Sequence, residues 1–323
     1  MILPGPSQLR VGLYGAGPHS RSVLLPALAS LEYPLEAICD PRPNLADDLA
    51  QRFAFRSTFA DLPAMLRDAN VQALLISRDA PNLPDIVATL LKSRLPFWLD
   101  AAADGLDPLI ARLRRRSAGN SPAYMICHPH RFAPAFLRAS ELIRAGRLGE
   151  LSLASLAISS AKPGPGQKEL PLAHLAEAAL DLLVFLLGPP EKVYASWDGT
   201  SMLAAVVHFD HKPLLLQLRQ GVWPGHSGHS LRLYGQQDQQ LTVENLLDLS
   251  ATEAQAILDR LTSPVSSSTD LCARHGWTGA LTAFFTAAGA DRYGDLTDYL
   301  STRKLAEVLI RSAQTHREVR FRI

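Results

Sequence analysis

The stretch RVGLYGAGPHS, Arg10 to Ser20, leads through a helix-compatible segment to the run Leu35-Glu36-Ala37-Ile38-Cys39 and stops on Asp40. The apolar residues Val11 to Tyr14 read as a strand that enters the turn Gly15-Ala16-Gly17-Pro18-His19-Ser20. Gly15 permits a tight turn with positive φ, and Gly17 lacks the Cβ that would block close approach of a pyrophosphate. Amide groups at the helix start then face the phosphates. Ser20 stands where a third glycine is usual, and its small side chain meets the same need for close packing of helix on strand. Asp40 lies twenty residues past Ser20, where a carboxylate can accept both ribose hydroxyls. A lone Gly-x-Gly is a weak signal. A strand before it, a helix after it and an acid at this distance together specify the opening βαβ unit of a dinucleotide-binding fold.

A chain of 323 residues exceeds the size at which one hydrophobic core keeps growing, so two domains are expected. Lys and Arg number 32 against 31 Asp and Glu. The nearest approach to a basic cluster, Arg112 with Arg114-Arg115-Arg116, falls late in a helix, where cations favour the dipole. It reads as a solvated helix end, and no nucleic-acid partner is expected. Cys39, Cys127 and Cys272 are too few and too dispersed for a disulfide framework or a metal site, which fits a reducing cytosol. His226 and His229 sit in a Gly-rich turn without an acid or cysteine nearby and read as loop residues, so no metal is expected. Met1 to Gln8 has no signal-peptide pattern, and no stretch reaches the ~18 apolar residues of a membrane span. These features predict a cytoplasmic protein with no membrane partner.

After Asp40 the pattern alternates: helices at about Asn44 to Phe53 and Leu62 to Asp68, then the buried-strand run Val71 to Ile76. A helix from Pro84 to Ser93, the run Pro96 to Leu99, a helix from Leu106 to Arg116 and the run Ala123 to Cys127 follow. Such alternation specifies a doubly wound parallel sheet, placed here in residues 1–122. Residues 123–323 differ in character. Beyond a helix at Pro134 to Ala145, strand-like segments succeed one another at Leu151 to Ser159, Lys192 to Trp197, Met202 to Phe209, Pro213 to Gln220, Ser230 to Tyr234 and Gln240 to Val243. Turns such as Asp210-His211-Lys212 join them, which predicts an open, mostly antiparallel sheet. Helices are predicted at Leu172 to Leu187, around Trp277 to Ala288 and around Ser301 to Thr315, with Trp277 and Phe284-Phe285 as core. Ser160 to Glu169 reads as a mobile loop and Ser263 to Asp270 as a loop. The strands Met202 to Phe209 and Pro213 to Gln220 carry apolar residues on both faces, so a homo-oligomer, dimer or tetramer, is expected through this sheet.

The Gly15 turn, Asp40-Pro41, Ala80-Pro81-Asn82, His130-Arg131-Phe132-Ala133-Pro134 and Ala145-Gly146-Arg147-Leu148-Gly149-Glu150 occur in an order that resembles the Gfo/Idh/MocA family of NAD(P)-dependent oxidoreductases. The resemblance spans nearly the whole chain. It implies an N-terminal Rossmann domain, a C-terminal α/β domain on an open sheet, an active site in the cleft between them and cofactor contacts at Pro81 and Asn82. The family's Glu-Lys-Pro motif falls on Asp100-Ala101-Ala102, so its lysine is missing. Its Asp-x-x-x-His-x-x-Asp motif falls on His174, Ala178 and Asp181, so its central histidine is missing and only the last acid remains. The histidine often found four residues after the proline of the Thr-Pro-Asn segment is Asp85.

A secondary alcohol yields hydride only if its hydroxyl proton leaves in step, and alanine cannot take it. Losing such a base typically removes about 10²–10⁴-fold of rate. The remaining catalytic candidates are His128, His130, His174, Asp100 and Asp181. His174 lies four residues before Ala178, on the same helix face, and is either a cleft residue or a solvated helix start. His128 and His130 follow the last Rossmann strand, at the carboxyl edge where ligands bind in open α/β sheets. Asp100 is either the surviving motif acid or a turn cap, and Arg131 either a packing arginine or a substrate clamp. Asp40 favours NAD(H), because its charge repels a 2′-phosphate, while Arg42 keeps NADP(H) open. The sequence thus predicts an NAD(P)-dependent oxidoreductase with a non-standard active site and a small-molecule substrate, an imine or conjugated compound before a sugar alcohol. The alternative is a non-catalytic nucleotide- or sugar-sensing relative that regulates a partner.

Overall fold

Two units organise the chain: Met1–Pro129 with Ser266–Leu296, and His130–Val265 with Thr297–Ile323. The structure, a computed structural model, describes residues 9–115, 122–162, 171–222, 228–236, 239–245, 248–251, 268–289 and 296–321.

The first unit is built on six parallel strands, β1 (Val11–Tyr14), β2 (Leu35–Cys39), β3 (Ser57–Phe59), β4 (Ala73–Ile76), β5 (Phe97–Asp100) and β6 (Tyr124–Cys127), in the order β3-β2-β1-β4-β5-β6. Every residue of β1, β4 and β5 is buried, as a parallel sheet covered on both faces requires. The strand order reverses between β1 and β4, and this switch point is where open α/β sheets bind ligands, outside the carboxyl ends of the strands. The residues that leave β1, β2 and β4 there are Gly15, Asp40 and Ser77. The crossover helices carry the expected signals. Leu83–Ser93 buries Leu83, Ile86, Val87, Leu90 and Leu91, one face of a 3.6-residue repeat. Asp61 caps Leu62–Asp68 by accepting the Ala64 N–H at 2.8 Å.

Two helices from late in the sequence complete this unit, Ser268–Arg274 and Trp277–Gly289. Cys272 lies against the carbonyl of Val23, and Phe284 and Phe285 are buried in the same core as β1 and β4. Phe285 also stacks on Tyr33 at 3.9 Å between centroids. Ser268 to Asp270 is therefore helical, not loop: the helix is short and its start is masked in the sequence by serines.

The second unit holds an eight-stranded mixed sheet. Its strands are β7 (Leu153–Ala161), β8 (Lys192–Trp197), β9 (Met202–Phe209), β10 (Lys212–Val222), β11 (Gly228–Tyr234), β12 (Gln240–Glu244), β13 (Asp248–Ala251) and β14 (Val319–Arg320), in the order β13-β12-β11-β7-β10-β9-β8-β14. All neighbours are antiparallel except β7 and β10. Asp210 and His211 join β9 to β10 with φ of 47° and 62°, the positive pair that a two-residue hairpin of matching twist needs. Burial alternates along β9 and β10, and the helices Leu172–Leu187 and Thr297–Thr315 pack on the sheet. Ser312 ties helix to sheet: its buried hydroxyl accepts the Ala195 N–H at 3.0 Å and donates to the Arg317 carbonyl at 2.6 Å.

Strands β3, β13 and β14 were not legible as strands, since Ser57-Thr58-Phe59, Asp248-Leu249-Ser250-Ala251 and Val319-Arg320 carry no continuous apolar run such as marks β1, β4 and β5. The mobile loop read at Ser160 to Glu169 begins as the end of β7 at residues 160 and 161, and positions 163–170 lie outside the described residues. So do Arg116, His226 and residues 263–267. No helix among the described residues is long and apolar enough to cross a membrane.

Candidate functional site

At the carboxyl edge of β1 the chain turns at Gly15, whose φ of +96° an L side chain rarely adopts. A Cβ there would also meet the Ala80 backbone at 2.8 Å. Ser20 is fully buried and its hydroxyl donates to the Gly15 carbonyl at 2.6 Å, which closes the turn on itself. The small residue at this position thus packs and also fastens the loop. A π-helical turn, Ser20–Leu24, starts the following helix.

Asp40 is fully buried and accepts four hydrogen bonds. They come from the Ala16 amide at 2.7 Å, the Arg42 amide at 2.9 Å, and Nε and Nη2 of Arg42, each at 2.8 Å. Burial pushes the Asp40 carboxyl up, but the Arg42 guanidinium and the two amides outweigh it and hold it below the ordinary carboxylate range. Both residues read as ribose-site candidates are therefore brought together, as a bidentate pair. Pro81 and Asn82 lie near them. The Tyr14 hydroxyl donates to the Pro81 carbonyl at 3.0 Å, and Asn82 takes a left-handed φ of 53° at the start of the next helix. Burial, with Cys39, Asp40 and Asp85 nearby, pushes the Tyr14 hydroxyl up to about 12.

Sequence reasoning missed three residues of this site. His19 is 3% exposed, and its backbone N–H donates to Asp79 Oδ2 at 2.9 Å. The Ser77 hydroxyl donates to the other Asp79 oxygen at 2.5 Å. A Cβ on Gly17 would stand 2.5 Å from Asp79 Cγ. The space that Gly17 leaves open is taken by an anion of this chain's own. The turn therefore fits a phosphate group in backbone shape and in donors, with one carboxylate to displace. The signal available in the sequence was Ser77-Arg78-Asp79, which places an acid at the ligand-binding edge directly after β4.

The imidazole of His19 accepts the Arg78 N–H at Nδ1 (3.4 Å), so its proton lies on Nε2, which faces Asp100 Oδ2 at 3.6 Å. Trp277 packs edge-on against the ring at 4.9 Å. Burial, with a smaller effect of the Arg78 charge, holds His19 well below its ordinary pKa. Asp100 Oδ1 accepts the Ala102 N–H at 2.9 Å, so the turn-capping reading of this acid holds for one oxygen only.

In the second unit Asp181 is held by Arg131, through Nε at 2.9 Å and through Nη2, while Arg131 Nη1 reaches Asp298 at 3.1 Å. Burial disfavours the charge on Arg131, but the two carboxylates outweigh it and raise its pKa. Arg131 thus pins the helix Leu172–Leu187 to the start of Thr297–Thr315. His174 Nδ1 lies 3.6 Å from Glu177 Oε2 on the same helix, one turn from the buried Ala178. His130 packs edge-on against His229 at 4.4 Å between centroids. His128, in the first unit, is 3% exposed. A separate cavity of about 260 Å³ in the second unit is lined by Leu151, Leu186, Phe209, Lys212 and Leu214 among others, and by none of the site candidates.

No protein-family model and no curated protein sequence matches the chain. Solved structures do. An oxidoreductase from Agrobacterium radiobacter, determined in complex with NAD+, L-tartaric acid and magnesium, has a TM-score of 0.79 at 15% identity over 97% of this chain and 98% of that one. GenD2 from gentamicin A biosynthesis, in complex with NAD, has a TM-score of 0.78 at 17% identity over 98% and 97%. The WlbA dehydrogenase from Bordetella pertussis, in complex with NADH and UDP-GlcNAcA, has a TM-score of 0.74 at 16% identity over 98% of each chain. The chain therefore has, over nearly all of its length, the fold of these solved structures.

Proposed function

We propose that the chain is an NAD(H)-dependent oxidoreductase that reduces an imine or a conjugated small molecule. One conjunction carries the reading. A phosphate-shaped turn at Gly15 to Ser20, with Asp40 at the next strand end, stands in a fold shared with NAD-bound oxidoreductases, while Ala101 and Ala178 stand where the resemblance implies a base. Gly15, Gly17 and the His19 amide would hold the pyrophosphate, with Pro81 and Asn82 flanking, and Asp40 would take the ribose hydroxyls in place of the bonds it now accepts from the Arg42 guanidinium. When bound, a nicotinamide supplies hydride. Asp40 is ionised and repels a 2′-phosphate, and the Arg42 guanidinium is already engaged on it, which supports NAD(H) over NADP(H).

Proton delivery falls to this chain's own residues. His174, backed by the Glu177 carboxylate, is the favoured donor, with His128, His130 and Asp100 as substitutes. Asp181 is engaged by Arg131 through Nε and Nη2, which supports a positioning role for it. The test is turnover: NADH consumption with a panel of cyclic imines and enones is expected, against little or none with sugar alcohols. A second reading, a non-catalytic nucleotide- or sugar-sensing relative acting on a partner, is favoured by Ala101 and Ala178 standing where the resemblance implies lysine and histidine. Turnover of any substrate in the panel would exclude it.

We also infer self-association through the outward face of the second sheet. Tyr194, Val206 and Leu215 lie in one row across β8, β9 and β10, and Tyr194, Met202 and Leu215 are each between 44% and 47% exposed. A second copy would cover this row.

A further inference from the structure

The amide of His19 already carries a charge-assisted hydrogen bond, from its N–H to the Asp79 carboxylate at 2.9 Å. Three observations make this more than a loop contact. The carboxylate lies in the space that the missing Cβ of Gly17 creates, 2.5 Å from where that atom would stand. Its second oxygen is fixed by the Ser77 hydroxyl at 2.5 Å, so the group is aimed by two donors. The nearest ring, His19, is buried and neutral, so the turn offers Asp79 no full positive charge from that side. Arg42 senses the Asp79 charge, but its guanidinium is committed to Asp40. What holds Asp79 is the Ser77 hydroxyl and the His19 amide, and the amide is the donor a phosphate oxygen would use.

We propose that Asp79 is an internal competitor for the pyrophosphate and sets the affinity of the turn for dinucleotides. The proposal rests on the reading of Gly15 to Ser20 as a dinucleotide site. Binding is then an exchange of anions: the carboxylate leaves the His19 amide and a phosphate oxygen takes its place. Asp79 is only partly buried and sits on the loop after β4, so rotation of its side chain into solvent suffices. Such a site holds its dinucleotide weakly and releases it readily, which suits a cosubstrate exchanged at every turnover.

Calorimetric titration of NADH, and separately of inorganic pyrophosphate, into the full chain and into Asp79→Asn and Asp79→Ala tests this. Asp79→Asn keeps an acceptor for the His19 N–H and loses the charge. Asp79→Ala removes both, and circular dichroism reports whether each variant is folded. Both variants are expected to bind NADH about tenfold more tightly than the wild type, the scale of one charge-assisted hydrogen bond. Equal or weaker NADH binding by both folded variants overturns the proposal and leaves the dinucleotide reading standing. If NADH binds no form but pyrophosphate binds the variants more tightly than the wild type, Asp79 is the internal anion and the dinucleotide reading falls. Binding of neither ligand to either variant overturns both.

Discussion

Nε2 of His19 and Oδ2 of Asp100 face each other at 3.6 Å, with side chains 1% and 3% exposed and, among the described residues, no hydrogen-bond partner for either atom. The pair sits at the carboxyl edge of the first sheet, and His19 is also the residue whose amide holds Asp79.

The native pKa of His19 is depressed, so the unfolded state binds a proton that the native state refuses. The stability contribution is complete above the unfolded value, about 6.5, and is lost as pH falls below it. Burial lowers His275 as well, which adds a change of the same sign. Thermal unfolding of the wild type is expected to shift to lower temperature between neutral pH and mildly acid pH. His19→Gln should flatten that dependence without abolishing it. An identical slope in the variant would mean that His19 is not the buried neutral group described.

Arg131 and Asp181 are predicted to act through structure. Replacing Arg131 with Met leaves the Asp181 carboxylate buried without its guanidinium and should cost about 3 kcal/mol of stability. Combining it with Asp181→Asn should recover a large part of that cost. Chemical denaturation of the two single variants and the double variant measures the coupling. Additive effects would show that the pair is not coupled.

Reduction consumes a proton, so turnover is expected to rise toward acid pH within the range where the protein is folded. His174→Asn should lower kcat by about 10²-fold, as loss of a general acid does. If turnover is unchanged, the proton comes from elsewhere. Single variants at His128 and His130 then locate it.

Self-association is tested by Leu215→Glu, which places a charge in the middle of the Tyr194–Val206–Leu215 row. Light scattering should report an oligomer for the wild type and a smaller species for the variant. A monomeric wild type at working concentration would contradict the inference.

Much of this was legible in the sequence because its signals are local. The Gly15 turn, the apolar run of β4 and the i, i+3, i+4 pattern of Leu83–Ser93 each depend on neighbours within a few residues. The Ser268–Arg274 helix was not legible, because it is short and starts among serines, and its packing of Cys272 on Val23 joins opposite ends of the chain. The same holds for the site. Spacing alone picked out Asp40 and Arg42, but their mutual bidentate pairing is a property of side-chain geometry that spacing does not encode. Asp79 was missed because its partner, His19, is sixty residues away. Asp181 was read as a surviving catalytic acid from its motif position, and that motif says nothing of its pairing with Arg131, fifty residues earlier.

The central claim is that the Gly15 to Ser20 turn binds a nicotinamide dinucleotide, and its most direct test is titration calorimetry with NAD+, NADH, NADP+ and NADPH against the wild type and Gly17→Val. Saturable, micromolar binding of NAD+ or NADH to the wild type, weaker binding of the 2′-phosphorylated forms, and loss of binding in Gly17→Val are predicted, since a branched side chain fills the space next to the His19 amide. Absence of binding by all four forms, or unaltered binding by Gly17→Val, would contradict the claim.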